Sequence, residues 1–264
     1  GQPEIIQQLE NPINIPLQEL GGTGAGHYTV SRLSRPILKV RIPVGDKVIT
    51  VFNLHLKSKL GEFIRPNDAD FAPEQDLTNY DPVGRAMGAL RAALRRMAEA
   101  WVLRRAIVEE IRKGRPVMVL GDFNDSENSV SSEIIAGEVP FKNYSWMLRH
   151  NAKDANDRYK KDESKQITQN VERVRLQSAE KLFVRQSLRD MVYTSAFNGV
   201  YESIDTILLS RDFLADNPDR IGEMTYFSVF NDHITDGSHD DAPYNKLASD
   251  HGQIMAHIRL ARDR

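Results

Sequence analysis

Four short stretches of this sequence put oxygen- and nitrogen-bearing side chains where a strand would end. In "VLGDFND" (Val119 to Asp125), apolar residues run into a glycine and then into Asp122, Asn124 and Asp125. Asp122 and Asn124 are two positions apart, so in an extended chain both side chains leave on the same side. A carboxylate beside a carboxamide suits a hard cation or a phosphoryl oxygen, although the same letters are also ordinary turn chemistry. Asp250-His251 stands at the mouth of the last apolar run, where such a pair can equally be a plain polar contact. His55 closes "VFNLH" and can be a satisfied strand-end histidine. Asp205 within "SIDTILLS" is the least expected of the set, because an aspartate among strand residues needs a partner.

These residues need elements to hold them. "PILKVRIP" and "KVITVFNLH" are β-branched runs separated by the turn-like Val44 to Asp46, which predicts an antiparallel hairpin. Residues 56–80 have no period and two prolines, so they are expected to form a long loop, mobile or acting as a substrate-facing lid. Asp81 followed by Pro82 is a helix start, and Met87, Leu90, Leu94, Met97, Trp101, Val108 and Ile111 recur at spacings of three and four. Gly114 and Pro116 close that helix, and Val117 to Leu120 form a strand buried on both faces. Of the helix's arginines all but Arg104 lie off the apolar seam, which assigns them to a solvated surface rather than to a phosphate-binding stripe. Further on, a helix is predicted near Thr168 to Gln186, strands over Tyr201 to Ser210 and over "TYFSVF", a short helix at "RDFLAD", and a final strand in "ASDHGQIMAHIRL". Strands interleaved with helices without regular alternation predict an α/β class with a mixed sheet and one domain over residues 1–264. Residues 1–34 are expected to be irregular, with "GGTGAG" as a flexible connection that lacks the lysine of a phosphate loop.

The balance of charge narrows the partners. Lysine and arginine number 35 against 37 acids, a formal net charge of -2, so no overall field favours a polyanion. The 56–80 loop mixes Lys57, Lys59 and Arg65 with Glu62, Asp68, Asp70, Glu74 and Asp76, which does not suit a duplex backbone. With no cysteine there is no disulfide, thiolate metal site or thiol nucleophile, and no apolar run is long enough for a membrane span.

Taken in order, "NLHLKSK", "GDFN", "IDTILLS" and "SDH" make the chain from about Arg35 to Leu260 resemble the endonuclease/exonuclease/phosphatase superfamily. Those proteins are metal-dependent phosphoesterases that include DNase I, abasic-site endonucleases and inositol polyphosphate 5-phosphatases. The resemblance implies a DNase I-like four-layered α/β sandwich with two mixed sheets, a bacterial-type protein, and hydrolysis of a phosphate ester: a nucleic acid, a nucleotide or a small phosphodiester. It implies that His55 and His251 contact phosphate oxygens, that Asp122 orients or deprotonates the attacking water, that Asn124 holds phosphate or nucleophile, and that Asp205 fixes the His251 tautomer. Asp250, with Asp122 and Asn124, would hold the metal, Mg²⁺ or Mn²⁺.

Three competing assignments differ in what they need. Calcineurin-like phosphoesterases share the Gly-Asp-x-x-Asp element, but their Asp-x-His and Gly-Asn-His elements are missing here. Asp232, His233, Asp236, His239, Asp240 and Asp241 could form a second metal site or simply a solvated loop. A non-catalytic member that binds a phosphorylated ligand or a protein would not need the whole constellation. The resemblance also implies an earlier strand and a principal metal-binding glutamate, for which too few residues precede Ser34; Glu19 in "LQEL" is assigned to coincidence. The expectation is therefore a chain lacking N-terminal strands, with an exposed sheet edge that favours a homodimer or a rearranged N-terminus. A cytoplasmic location is preferred, with export left open by the absent N-terminus.

Overall fold

The computed structural model describes residues 2–16, 26–67, 69–137, 161–184, 193–236 and 247–261. The strands are β1 (Glu4–Pro16), β2 (His27–Val44), β3 (Lys47–His55), β4 (Val117–Asp122), β5 (Gln177–Ser178), β6 (Ser195–Phe197), β7 (Val200–Glu202), β8 (Asp205–Leu209), β9 (Gly222–Phe230) and β10 (Gln253–Leu260). The helices are α1 (Pro82–Arg112), α2 (Val130–Ala136), α3 (Lys161–Val174) and α4 (Ala179–Val184). Six strands form a mixed sheet in the order β1-β2-β3-β4-β8-β5, in which only β3 and β4 run parallel. Two antiparallel pairs, β9 with β10 and β6 with β7, complete the described strands. The class is α/β, as the interleaved pattern predicts; among the described residues the layer facing the six-stranded sheet is the antiparallel β9–β10 pair.

Alternation along the strands separates two cores. Phe52 and Leu54 of β3 and Val117 and Val119 of β4 face Leu103 and Ile107 of α1, while Ile49 and Val51 of β3 and Met118 of β4 face Phe213, Met224 and Phe227. The predicted β2–β3 hairpin is present, turning at Gly45 with φ 60°. α1 also starts as its sequence dictates: the Asp81 carboxylate accepts from the N–H groups of Val83 and Gly84, with Pro82 at the first position.

α1 turns most of the predicted seam away from the core, although Ile111 is buried in it. Its core side carries Ala92, Arg96, Glu99, Leu103, Ile107 and Glu110, whereas Leu90 and Trp101 are 43% and 45% exposed. At about 100° per residue the seam of Leu90, Met97 and Trp101 lies nearly opposite the buried side. The reason is that the inward charges are all bonded. Glu99, 2% exposed, accepts from the backbone N–H of Ser34 (2.6 Å) and of Lys57 (2.8 Å). Glu110, fully buried, takes Thr50 Oγ1 (2.9 Å) and Arg115 (2.7 Å), with Lys39 Nζ at 3.1 Å. Arg91 and Arg96 are likewise buried rather than solvated.

Further expectations change. The described residues within 1–34 are not irregular, because β1 pairs with β2 and packs the partly buried Ile6 and Leu9 against the first core; register shifts between Ile6, Gln8 and Ile13 break the alternation that would have announced it. Most of "GGTGAG", together with Glu19, lies outside the described residues. The helix expected near Thr168 to Gln186 is interrupted: Leu176 is buried and donates to Ala136 O, and Gln177–Ser178 pair with Leu209 and Leu208. The strand expected over Tyr201 to Ser210 is divided at Ser203 and Ile204 into β7 and β8. Within the 56–80 loop, Glu62 accepts from Tyr28 of β2 (2.8 Å) and Arg95 of α1 (2.6 Å), and Phe63 lies against Gly88 beneath Arg85.

Glu110 makes the fold acid-sensitive. Burial alone would raise its carboxyl, but the bonds from Arg115, Lys39 and Thr50 hold it at about 2, below its ordinary 4.5. A depressed carboxyl contributes stability above its unfolded pKa and loses it as pH falls toward the folded one. That contribution is on the order of 3 kcal/mol. Urea titrations from pH 6 down to pH 2 should show this loss, and Glu110→Gln should remove it while starting about 3 kcal/mol less stable at pH 7. An unchanged acid limb in the variant would assign the sensitivity to other groups.

Candidate functional site

The ends of β3, β4 and β8 meet in register. His55 stands opposite Asp122 in the parallel pair, and Asp122 opposite Asp205 in the antiparallel pair, so all three side chains leave one face of the sheet in a single row. The ladder runs on past them: Leu56 N–H donates to Asp122 O (3.0 Å), and Phe123 N–H donates to Ile204 O (2.9 Å). Gly121 lets the strands close up. Its φ is 132°, and a Cβ there would lie 2.0 Å from Leu54 O, so no other residue fits.

After Asp122 the chain turns at once. Asn124 has φ 52°, a left-handed conformation that asparagine tolerates better than most residues. Its N–H donates to Asp122 Oδ1 (2.6 Å), and its amide nitrogen donates to Asp122 Oδ2 and Leu56 O, both at 3.0 Å. Both amide hydrogens are thereby used, which leaves the carbonyl oxygen as the group Asn124 can offer a ligand.

His251 reaches the row from the loop before β10. Its Nδ1 is 2.8 Å from Asp205 Oδ2, and its Nε2 is 4.0 Å from Asp122 Oδ2. On the other side His55 Nε2 lies 3.2 Å from the same Asp122 oxygen. Asp122 is thus flanked by two imidazoles, and its side chain is 12% exposed. Burial raises the Asp122 carboxyl above its ordinary range, against the pull of the Asn124 N–H and both histidines. His55 is lowered, by burial first, with Arg35 and His251 adding to it. His251 moves the other way, to about 9, because the bond to Asp205 outweighs its burial. At neutral pH His251 therefore carries a proton on both ring nitrogens, a donor for an anion.

Several residues that pattern reasoning did not single out brace the site. Arg96 of α1 donates to Asp125 Oδ2 (3.0 Å) and to Lys57 O (3.2 Å), tying together the segments that follow β4 and β3. Ser131 shares the same Asp125 oxygen at 2.8 Å. Arg35 donates to Leu56 O. The only available signal for Arg96 was its place on the helix, which the misassigned seam turned toward solvent.

The residues expected to act on phosphate, His55, Asp122, Asn124, Asp205 and His251, come together; Asp250 does not. Asp250, exposed in the bend before β10, acts on His251 as a charge and is not in the described group with metal-ligand spacing. Among the described residues, the group with metal-ligand spacing is Asp122, Asp205 and His251, whose donor atoms lie within 4.8 Å of one another. The oxygen donors fit a divalent cation: two carboxylates with the Asn124 carbonyl oxygen beside them. His251 fits less well as a ligand while it is protonated. Of the possible second metal set, His239, Asp240 and Asp241 lie outside the described residues. His233 Nε2 bonds to His251 O (3.0 Å), and Asp236 accepts from the N–H groups of Asn198 and Gly199, so these two side chains brace loops. No described helix is long and apolar enough to cross a membrane.

No family model matches the chain, and no curated protein is similar to it. Solved structures that resemble it include a mannosyl-6-phosphatase from Bacteroides thetaiotaomicron, at 12% identity over 98% of this chain and 66% of that one, with a TM-score of 0.45. An endonuclease/exonuclease/phosphatase protein from Bacteroides vulgatus matches at 13% identity over 98% and 65%, TM-score 0.43. The catalytic domain of human Nocturnin matches at 13% over 98% and 60%, TM-score 0.37. The chain thus spans about two thirds of the length of the first of these or less.

If Asp205 holds the proton on His251, removing its charge must release that proton. In EDTA-treated protein, Asp205→Asn should bring His251 down from about 9 toward its ordinary 6.5, followed by NMR titration of the histidine ring protons. A His251 that stays near 9 would show that Asp122 and Asp250 supply the charge instead.

Proposed function

We propose that this chain is a phosphoester hydrolase of the endonuclease/exonuclease/phosphatase kind. The observation that carries the proposal is the row of His55, Asp122 and Asp205 at the ends of three adjacent interior strands, closed by a cationic His251. Phosphoryl transfer asks mainly for placed charge and a placed nucleophile. His251 supplies the positive charge for a non-bridging oxygen, and Asp205 holds its ring. Asp122, raised by burial, is a stronger base than a solvated carboxylate and accepts the proton of an attacking water. His55, driven toward its neutral form by burial, has Nε2 3.2 Å from Asp122 and can turn an N–H there toward a phosphate oxygen. Asn124 fixes Asp122 through two hydrogen bonds and turns its carbonyl oxygen outward for the nucleophile or a cation. A divalent ion such as Mg²⁺ or Mn²⁺, held by Asp122 and Asp205 with Asn124, would neutralise phosphate charge.

The substrate is a nucleotide, a nucleic acid or a small phosphodiester; the mixed charge of the 56–80 loop does not suit a duplex backbone. Bis(p-nitrophenyl) phosphate, p-nitrophenyl phosphate, plasmid DNA, RNA and phosphoinositides form a panel that separates these with Mg²⁺ or Mn²⁺ present. Hydrolysis of at least one substrate is expected, abolished by EDTA and restored by the metal. On the best substrate His55→Ala should lower kcat about 10²- to 10³-fold, the usual cost of losing one charge-stabilising donor. Binding of the panel without turnover would instead favour a protein that captures phosphorylated ligands.

A further inference from the structure

Thr194, in the segment leading to β6, is 0% exposed and lies outside every element that carries a site residue. Its hydroxyl oxygen accepts the N–H of Ile204 (3.0 Å) and of Asp205 (3.1 Å). Its carbonyl accepts the N–H of Gly252 (2.7 Å), the residue after His251. Its own N–H donates to Glu202 O (3.0 Å), closing the base of the β6–β7 hairpin.

We propose that Thr194 is the positioning residue that sets the Asp205–His251 pair. Asp205 rides on β8 and His251 on a loop entering a different strand pair, and Thr194 bonds the backbone at or next to each of them. Gly252 shows how closely the two segments are drawn: a Cβ there would stand 3.3 Å from Thr194 Cα, inside ordinary contact. Around His251 the other holds are single bonds, Ser249 Oγ to its N–H and His233 to its carbonyl. Ile204 extends the hold to β4, because its carbonyl takes Phe123 N–H. Thr194→Val keeps the shape and the carbonyl bond but strands two buried N–H groups, which then shift to find partners. Asp205 shifts with them. The geometric claim stands by itself, while its consequence for turnover rests on the phosphoesterase proposal.

The test uses the full chain without metal. The imidazole Nδ1–H proton of His251 should give a far-downfield proton NMR signal, assigned by its loss in Asp205→Asn and in His251→Gln. It should vanish in Thr194→Val and persist in Thr194→Ser, with circular dichroism unchanged in both. Wild-type amides of Ile204, Asp205 and Gly252 should also exchange slowly with deuterium, a result that depends on no variant. In turnover, Thr194→Val should lose about 10- to 100-fold in kcat with KM unmoved, Thr194→Ser should recover it, and Thr194→Val should add nothing in an Asp205→Asn background. A signal that persists in Thr194→Val, a Thr194→Ser as impaired as the valine, or fast exchange at any of the three amides would overturn the positioning role. Absence of turnover on every substrate would count against the phosphoesterase proposal alone, leaving the NMR result to decide the role of Thr194.

Discussion

One interstrand register governs the site. His55, Asp122 and Asp205 face each other only because β3, β4 and β8 pair with no offset at their ends. A slip of one residue in either ladder would send a side chain to the opposite face of the sheet, toward Leu103 and Ile107 of α1. Gly121 secures the register by contact, since the strands approach too closely there for any side chain. Glu99 secures it from the helix side, holding Ser34 and the residue two beyond His55 by their backbone N–H groups. The chemistry is thus fixed by backbone positions before any polar side chain is considered.

With the row in place, opposite shifts in neighbouring groups follow from burial and pairing. His55 and Asp122 are each driven by burial toward their neutral forms, whereas His251 gains a proton because Asp205 sits against Nδ1. One edge of the row is therefore weakly charged and the other firmly cationic. That polarity gives a bound phosphate a direction, with its oxygens drawn toward His251 and its reacting face toward Asp122.

Local signals in the sequence resolved what depends on neighbours along the chain. The β2–β3 turn, the Asp81-Pro82 start of α1 and the glycine before Asp122 each reflect a backbone need met by adjacent residues. The ordered motifs also identified five polar residues that converge. What escaped depends on partners far away in sequence. The buried side of α1 contains Arg96, Glu99 and Glu110, which look solvated until Asp125, Ser34, Lys57 and Thr50 are brought to meet them. β1 escaped because its pairing slips twice, and the break before α4 because Leu176 answers to Ala136, not to its helical neighbours. Asp250 was assigned to the metal by the resemblance of "SDH"; in the structure it is exposed in the bend before β10 and acts on His251 as a charge.

The inverted helix has a calorimetric consequence. Unfolding α1 from the sheet hydrates arginine and glutamate side chains that were dry, while Leu90 and Trp101 were already in large part wet. Newly hydrated polar surface lowers the heat capacity and newly hydrated apolar surface raises it. α1 therefore adds less to the heat-capacity increment than a helix of its length with an all-apolar buried side. A smaller increment flattens the curve of stability against temperature, so that cooling weakens this fold less than it weakens a domain of equal size built on an apolar helix face.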